Sequence, residues 1–369
     1  MKIALLIESF GALGGAEQQA AMLARSLAIR GHAVHVFAAT VRGGEEGVEA
    51  TALGASDHRG FARAAKAAVD GKKFDVVHSF ARTVSQDLLR LGGGVHAEYL
   101  RRMESTRSTL GRWFSRVNPK ERRILALERE SFSAQATRLI QAVSARVRDE
   151  VIRHYSVDPA RIVVTWNAVD LARFHPGLRD RRPQVLAEIG LPTGAFVVLY
   201  AGSGFRRKGL SRAIEAMGFL PRDVEAWLLV AGSGKSARYE RMAARRSVRT
   251  RFLGPRPDIE NLYAAADALV LPTLYDPFPN VCLEAMASGV PVIVTEVAGV
   301  SEIIKPGTNS FVVSDPGDPH DIASRLQRLL DPRERSDVGW AARAAAERRP
   351  FEKYVDETLA LYRKLAASK

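Results

Sequence analysis

The sequence predicts an α/β protein built as two doubly wound domains with parallel sheets. Three observations predict it. The 369 residues suffice for two domains of ordinary size, and 46% of them are hydrophobic, enough to fill two cores. Short apolar runs of strand length alternate with helix-period stretches along nearly the whole chain. The alternation stops at a segment rich in proline, glycine and charge around residues 168–180, then restarts.

In the first half, "KIALLIE" (2–8) reads as a buried first strand and not as a leader, because its apolar run is short and meets Glu8 and a glycine-rich turn. A helix from about Ala16 to Arg30 follows, then "AVHVFAA" (33–39), a helical stretch at 60–71 and "FDVVHSF" (74–80). "RLIQAVS" (138–144), a helix reaching His154 and "RIVVTW" (161–166) complete this half. The second half gives "AFVVLYAGS" (195–203), a helix from Leu210, "AWLLVAGS" (226–233), "VRTRFLG" (248–254), "ALVLPT" (268–273) and "VPVIVTE" (290–296). A last amphipathic helix starts at Phe351 and places Phe351, Tyr354, Val355, Leu361, Tyr362 and Leu365 on one face, with Thr358 filling the gap. Ligands of such sheets bind beyond the carboxyl ends of the strands, and two such domains place the site in the cleft they share.

Lysine and arginine number 54 against 41 acidic residues, a net charge of +13 that calls for an anionic partner: nucleic acid, anionic lipid or a phosphorylated substrate. No recognised nucleic-acid motif accompanies the charge, so no nucleic acid is expected. The single cysteine, Cys282, excludes an intramolecular disulfide and a cysteine metal cluster, and suits a reducing cytoplasm. No histidine or glutamate pair has metal-ligand spacing, so no metal and no separate cofactor are expected. No apolar run approaches the roughly 20 residues needed to cross a bilayer. Residues 97–130 are dense in arginine and carry Leu100, Met103, Leu110, Trp113 and Phe114. Such a segment suits an anionic membrane surface; the alternative is a solvated insertion with a few core-facing residues.

Four motifs carry candidate chemistry. Gly14 and Gly15 follow the first strand and open a helix, where backbone can approach a phosphate closely. The pattern lacks the G-x-G-x-x-G spacing of a nicotinamide-dinucleotide site. Arg206, Arg207 and Lys208 occupy the loop after the first strand of the second half, placed to neutralise a diphosphate. His96 follows a glycine cluster, and His78 lies in an earlier strand; each is a hydrogen-bonding or structural histidine. In "YDPFPNVCLEAMASGVPV" (275–292), Asn280, Val281 and Cys282 begin a helix whose amides suit an oxygen-rich ligand. Glu284, one turn on, suits the vicinal hydroxyls of a ribose, and Asp276 a sugar hydroxyl; the alternative is a carboxylate favoured by the helix dipole.

Together these motifs resemble the retaining glycosyltransferases of family 4, with the GT-B fold of two Rossmann-like domains facing across a cleft. The resemblance rests on "GGAE" (14–17), "WNAVDLARFHP" (166–176), "GFRRKGL" (204–210) and "DPFPNVCLEAMASGVPVI" (276–293), in the family's order. Within the family, "GSGFRRKGLSRAIEAM" and the basic insertion after "VHAE" are similar to the lipopolysaccharide core glucosyltransferases that act on inner-core heptose.

The resemblance implies an acceptor-side domain of residues 1–168 plus a crossover helix at 351–369, and a donor domain of 169–350. It implies metal-independent transfer of a hexose, with retention, from a UDP-sugar to a glycolipid, on the inner face of the cytoplasmic membrane. Its rival within the family is another glycolipid or capsular acceptor. Gly14, Gly15 and Glu17 would line the donor, with the glycine amides on its diphosphate. Arg207 and Lys208 would hold that diphosphate, and Glu284 the ribose. Asp276, Asn280, Val281 and Cys282 would bind the sugar, His96 would bond it at the reacting end, and Arg256 and Pro257 would lie near the base. Three positions depart from the family pattern: Asp276 replaces a glutamate, Ser203 an arginine that Arg206 or Arg207 would replace, and Ala168 a glycine. They touch the choice of sugar and leave the reaction class intact.

Overall fold

The computed structural model describes residues 1–11, 14–104, 118–314 and 318–369. The chain forms two compact units, Met1–Trp166 with Glu352–Lys369, and Asn167–Phe351. The boundaries expected at 168/169 and 350/351 therefore fall at 166/167 and 351/352. Backbone pairing explains the shift. The Val169 N–H donates to Arg349 O (3.1 Å), and the Phe351 N–H donates to Val169 O (3.1 Å), so the outgoing and returning chains pair inside the second unit.

The first unit is a seven-stranded sheet of β1 (Lys2–Phe10), β2 (Ala33–Val41), β3 (Val48–Ala52), β4 (Val76–Ser79), β5 (Gln86–Leu91), β6 (Thr137–Ala142) and β7 (Ile162–Val164). The order is β3-β2-β1-β4-β5-β6-β7, every neighbour parallel. Ile3 to Ile7 are buried, as a strand covered on both faces requires. Two strands are absent from the sequence reading. β3 is an exposed edge, "VEATA", without an apolar face. β5, "QDLLRL", is wholly buried although half of it is polar. Two of its polar side chains find partners: Gln86 Nε2 donates to Thr83 O (3.0 Å), and Asp87 Oδ2 accepts the Val77 N–H (2.8 Å).

The last helix, Phe351–Ala367, packs from Glu352 onward with the first unit. Leu359 is buried on its inner face, where Leu361 was expected; Leu361 is only half-buried, because a helix period of 3.6 carries it off the stripe set by Val355 and Tyr362. The Tyr362 hydroxyl lies 2.6 Å from His78 Nδ1, and burial holds the His78 ring well below its ordinary pKa. His78 is thus a neutral core residue.

The second unit is a six-stranded sheet of β8 (Phe196–Ala201), β9 (Ala226–Ala231), β10 (Arg249–Gly254), β11 (Ala268–Leu271), β12 (Val292–Thr295) and β13 (Phe311–Val313). Its order is β10-β9-β8-β11-β12-β13, all parallel. β13 is a three-residue strand, too short to read as a pattern. Strand order reverses between β8 and β11, so the loops after these two strands flank the switch point, where doubly wound sheets bind ligands.

The basic insertion is partly described. Leu110, Trp113 and Phe114 lie outside the described residues. Met103 is buried, as the core-facing alternative has it: helix His96–Glu104 turns it inward together with Glu98. Among the described residues no helix is long and apolar enough to cross a membrane.

Candidate active site

Two loops meet at the switch point of the second unit. Gly209, at φ 75°, precedes helix Leu210–Met217, and a Cβ there would strike the Pro272 carbonyl of the loop after β11. Only glycine permits this approach. The Leu274 N–H then donates to Arg207 O (2.8 Å), which locks the loops together. Arg207 and Lys208 come to rest beside Asp276 as a result. Arg207 Nη1 is 2.8 Å from Tyr275 O and 3.3 Å from Asp276 Oδ2, and Lys208 Nζ is 3.4 Å from the same carboxylate oxygen. Two cations share one carboxylate, and the remaining positive charge suits an anionic ligand. Ser203 Oγ accepts the Ser233 N–H (3.1 Å), tying in the loop after β9.

Helix Asn280–Ala287 opens beside this cluster. Asn167 holds its entry: Nδ2 donates to Phe278 O (3.1 Å) and to Asn280 Oδ1 (2.5 Å). Asn167 of the junction thus has a local task that the sequence pattern did not reveal. Asn280 and Val281 stand in the first turn as expected. Cys282 does not present its amide: the N–H is given to Pro279 O (3.1 Å), and the side chain is fully buried, which pushes its thiol well above the ordinary range. The turn at Pro279 consumes that donor.

Glu284 keeps part of its side chain exposed, with the carboxyl as the enclosed end. Burial raises its pKa, opposed by the Tyr263 hydroxyl 2.8 Å from Oε2 and by the charge of Arg173. Tyr263, on helix Ile259–Ala265, is a site residue that sequence reading missed; in "NLYAAAD" it looks like one more apolar helix position. Arg256 sits after β10 and binds Asp258 with two bonds, Nε at 2.8 Å and Nη2 at 2.5 Å. Pro257 O accepts from Arg173 Nη2 (3.0 Å).

The other predicted residues belong to the first unit. Gly14 caps helix Gly15–Ile29, and the Glu17 carboxylate occupies the space a Gly14 Cβ would need. His96 begins helix His96–Glu104, with Nε2 2.6 Å from Glu121 Oε2. The structure therefore gathers Arg207, Lys208, Asp276, Asn280, Val281 and Glu284 around one switch point. Gly14, Gly15, Glu17 and His96 occupy the helix starts of the other unit.

Comparison with known proteins gives the family and the fold. The family described as Glycosyltransferase Family 4 matches residues 13–173, and Glycosyl transferases group 1 matches residues 182–345. The chain belongs to the family 4 glycosyltransferases. Their GT-B fold is that of a solved structure of WaaG, a glycosyltransferase involved in lipopolysaccharide biosynthesis. It superposes with a TM-score of 0.84 at 23% identity, covering 96% of this chain and 98% of that one. As a sequence relative, the lipopolysaccharide glucosyltransferase WaaG of Escherichia coli K12 is 28% identical over 58% of this chain and 59% of its own length. A D-inositol 3-phosphate glycosyltransferase of Corynebacterium kroppenstedtii is 32% identical over 58% of this chain, which spans 50% of that relative. The Anabaena protein Alr3699/HepE, solved in complex with UDP-glucose, has a TM-score of 0.74 at 19% identity, covering 98% of this chain and 100% of that one. The chain thus spans about half the length of the first curated relatives it matches.

Proposed function

We propose that this family 4 chain transfers a hexose, with retention, from a UDP-sugar to a hydroxyl of a lipopolysaccharide inner-core heptose. One observation carries the reading: Arg207 and Lys208 converge on Asp276 at the switch point, with the start of helix Asn280–Ala287 and Glu284 alongside. The cations and the helix-start amides take the charge of the leaving diphosphate, the work metal ions do in other transferases. Glu284 grips the ribose diol, and Asp276 the sugar. The leaving diphosphate accepts the acceptor hydroxyl's proton on the face from which it departs. Hydrolytic retaining enzymes flank the bond with two carboxylates about 5 Å apart; here both candidates lie on one loop and the helix it opens, which favours two grips on one donor. His96 is given a hydrogen bond to a substrate hydroxyl. A glucosyl donor and a lipopolysaccharide acceptor are supported by the likeness to the lipopolysaccharide glucosyltransferase WaaG of Escherichia coli K12; the heptose rests on the resemblance of the sequence motifs alone.

Likeness to D-inositol 3-phosphate glycosyltransferases favours a second reading of the acceptor, a phosphorylated cyclitol in place of a glycolipid. Contact with anionic membrane through residues 97–130 belongs to the first reading; flotation with vesicles containing anionic lipid is expected, and its absence counts against that contact. The deciding experiment offers the protein UDP-glucose with either heptose-terminated core lipid or inositol 3-phosphate. Transfer to the lipid upholds the proposal, transfer to the inositol phosphate selects the second reading, and salt-sensitive RNA binding without nucleotide-sugar binding would overturn both.

A further inference from the structure

Helix Pro119–Phe132 meets His96 twice. At its inner end, Glu128 is fully buried. Its carboxylate accepts the N–H of His96 (2.8 Å) and of Ala97 (3.2 Å), the Nε–H of Arg82 (3.0 Å) and the Tyr155 hydroxyl (2.6 Å). It thus satisfies the open amides at the start of helix His96–Glu104 from a distant helix, and so fixes where His96 leaves the backbone. Two turns earlier on the same face, Glu121 Oε2 lies 2.6 Å from His96 Nε2, and the two side chains are only 20% and 14% exposed. The imidazole also stacks on Tyr99, ring centres 5.5 Å apart. The backbone, the ring plane and one ring nitrogen of His96 are all set by neighbours.

We propose that Glu121 is a positioning residue for His96. A carboxylate only accepts, so the neutral ring beside it carries its hydrogen on Nε2 and offers Nδ1 as an acceptor. Among the described residues no hydrogen bond to Nδ1 is made. Nδ1 is then the atom that receives a hydrogen bond from a substrate hydroxyl, and Glu121 acts by holding the ring in that tautomer and orientation. The inference rests on the role given to His96 under Proposed function. Glu128 is unsuited to the test, because a fully buried carboxylate with four donors cannot be removed without disturbing the fold. Glu121 is at the surface end of the helix.

The experiment pairs kinetics with nitrogen-15 spectra of labelled histidine, followed with rising pH until the ring signals no longer change. The wild-type protein is expected to show His96 as a single Nε2–H tautomer, and Glu121→Ala a mixture. Turnover with UDP-glucose falls up to about 100-fold in Glu121→Ala, while the donor KM stays within about twofold. Glu121→Gln, which keeps an acceptor, restores the tautomer and most of the turnover. His96→Ala/Glu121→Ala is no slower than His96→Ala alone, since Glu121 works through the ring. An unchanged tautomer in Glu121→Ala, or an undiminished effect of Glu121→Ala on the His96→Ala background, overturns the proposal. Wild-type turnover in His96→Ala overturns instead the role of His96, and the spectra distinguish the two failures.

Discussion

Two carboxylates, Glu98 of the first unit and Glu284 of the second, are used in opposite ways. In the first unit, Glu98 is fully buried and receives Arg101 (2.5 and 2.8 Å), Arg102 (2.9 Å) and His154 (2.9 Å). Burial alone would raise its pKa, but the bonds from Arg101 and His154 outweigh it and hold the carboxyl down at about 2. In the second unit, Glu284 has one described hydroxyl partner, Tyr263, and burial wins, so its pKa rises. Asp276 likewise touches its cations at 3.3 and 3.4 Å, longer than a close charge-assisted bond. Saturated carboxylates hold helices together; undersatisfied ones at a switch point remain available to a ligand.

This contrast can be broken most sharply at the cations. On the proposed reading, Lys208→Ala is expected to lower turnover by about 10²–10³-fold, as loss of a preorganised charge at a leaving group does; initial rates with UDP-glucose check it. Glu284→Ala should weaken UDP-glucose binding by about 10- to 100-fold, the worth of bonds to a charged group, as read by titration calorimetry. Glu98→Gln should leave donor binding intact and instead cost the first unit about 2 kcal/mol at neutral pH. The sign follows from the lowered pKa. Stability from Glu98 is fully present above the ordinary glutamate value of 4.5 and is lost as pH falls toward about 2. Acid denaturation of Glu98→Gln should therefore be flatter across that window.

Smaller changes sharpen the comparison. Tyr263→Phe removes the bond that opposes burial at Glu284, so the pH at which donor affinity fails on acidification should move upward. At neutral pH the loss should be only about fivefold. Arg256→Ala removes a surface pair with Asp258 and should change UDP-glucose affinity by about twofold or less.

The regularity of the strands made the architecture legible: fully buried runs such as "FVVLYA" and "ALVL" announce a covered parallel sheet. β3 and β5 were hidden for opposite reasons, one an exposed edge and the other a core strand carrying Gln86, Asp87 and Arg90. Arg207, Lys208, Asp276 and Glu284 were legible because their types and spacing carry chemistry. Tyr263, Asn167 and Glu121 were not. Each acts through a neighbour distant in sequence, 21 residues away for Tyr263 and Glu284, 113 for Asn167 and Asn280, and 25 for Glu121 and His96. Local pattern cannot report such pairs, and Glu121 in particular resembles ordinary surface charge on an arginine-rich helix.

The measurement that bears most directly on the proposed chemistry is the anomeric proton spectrum of UDP-glucose incubated with the protein in the absence of acceptor. Slow release of glucose that appears first as the α-anomer, abolished in Lys208→Ala and weakened in Glu284→Ala, is the predicted result. Release of the β-anomer, or α-release that persists unchanged in both variants, would contradict it.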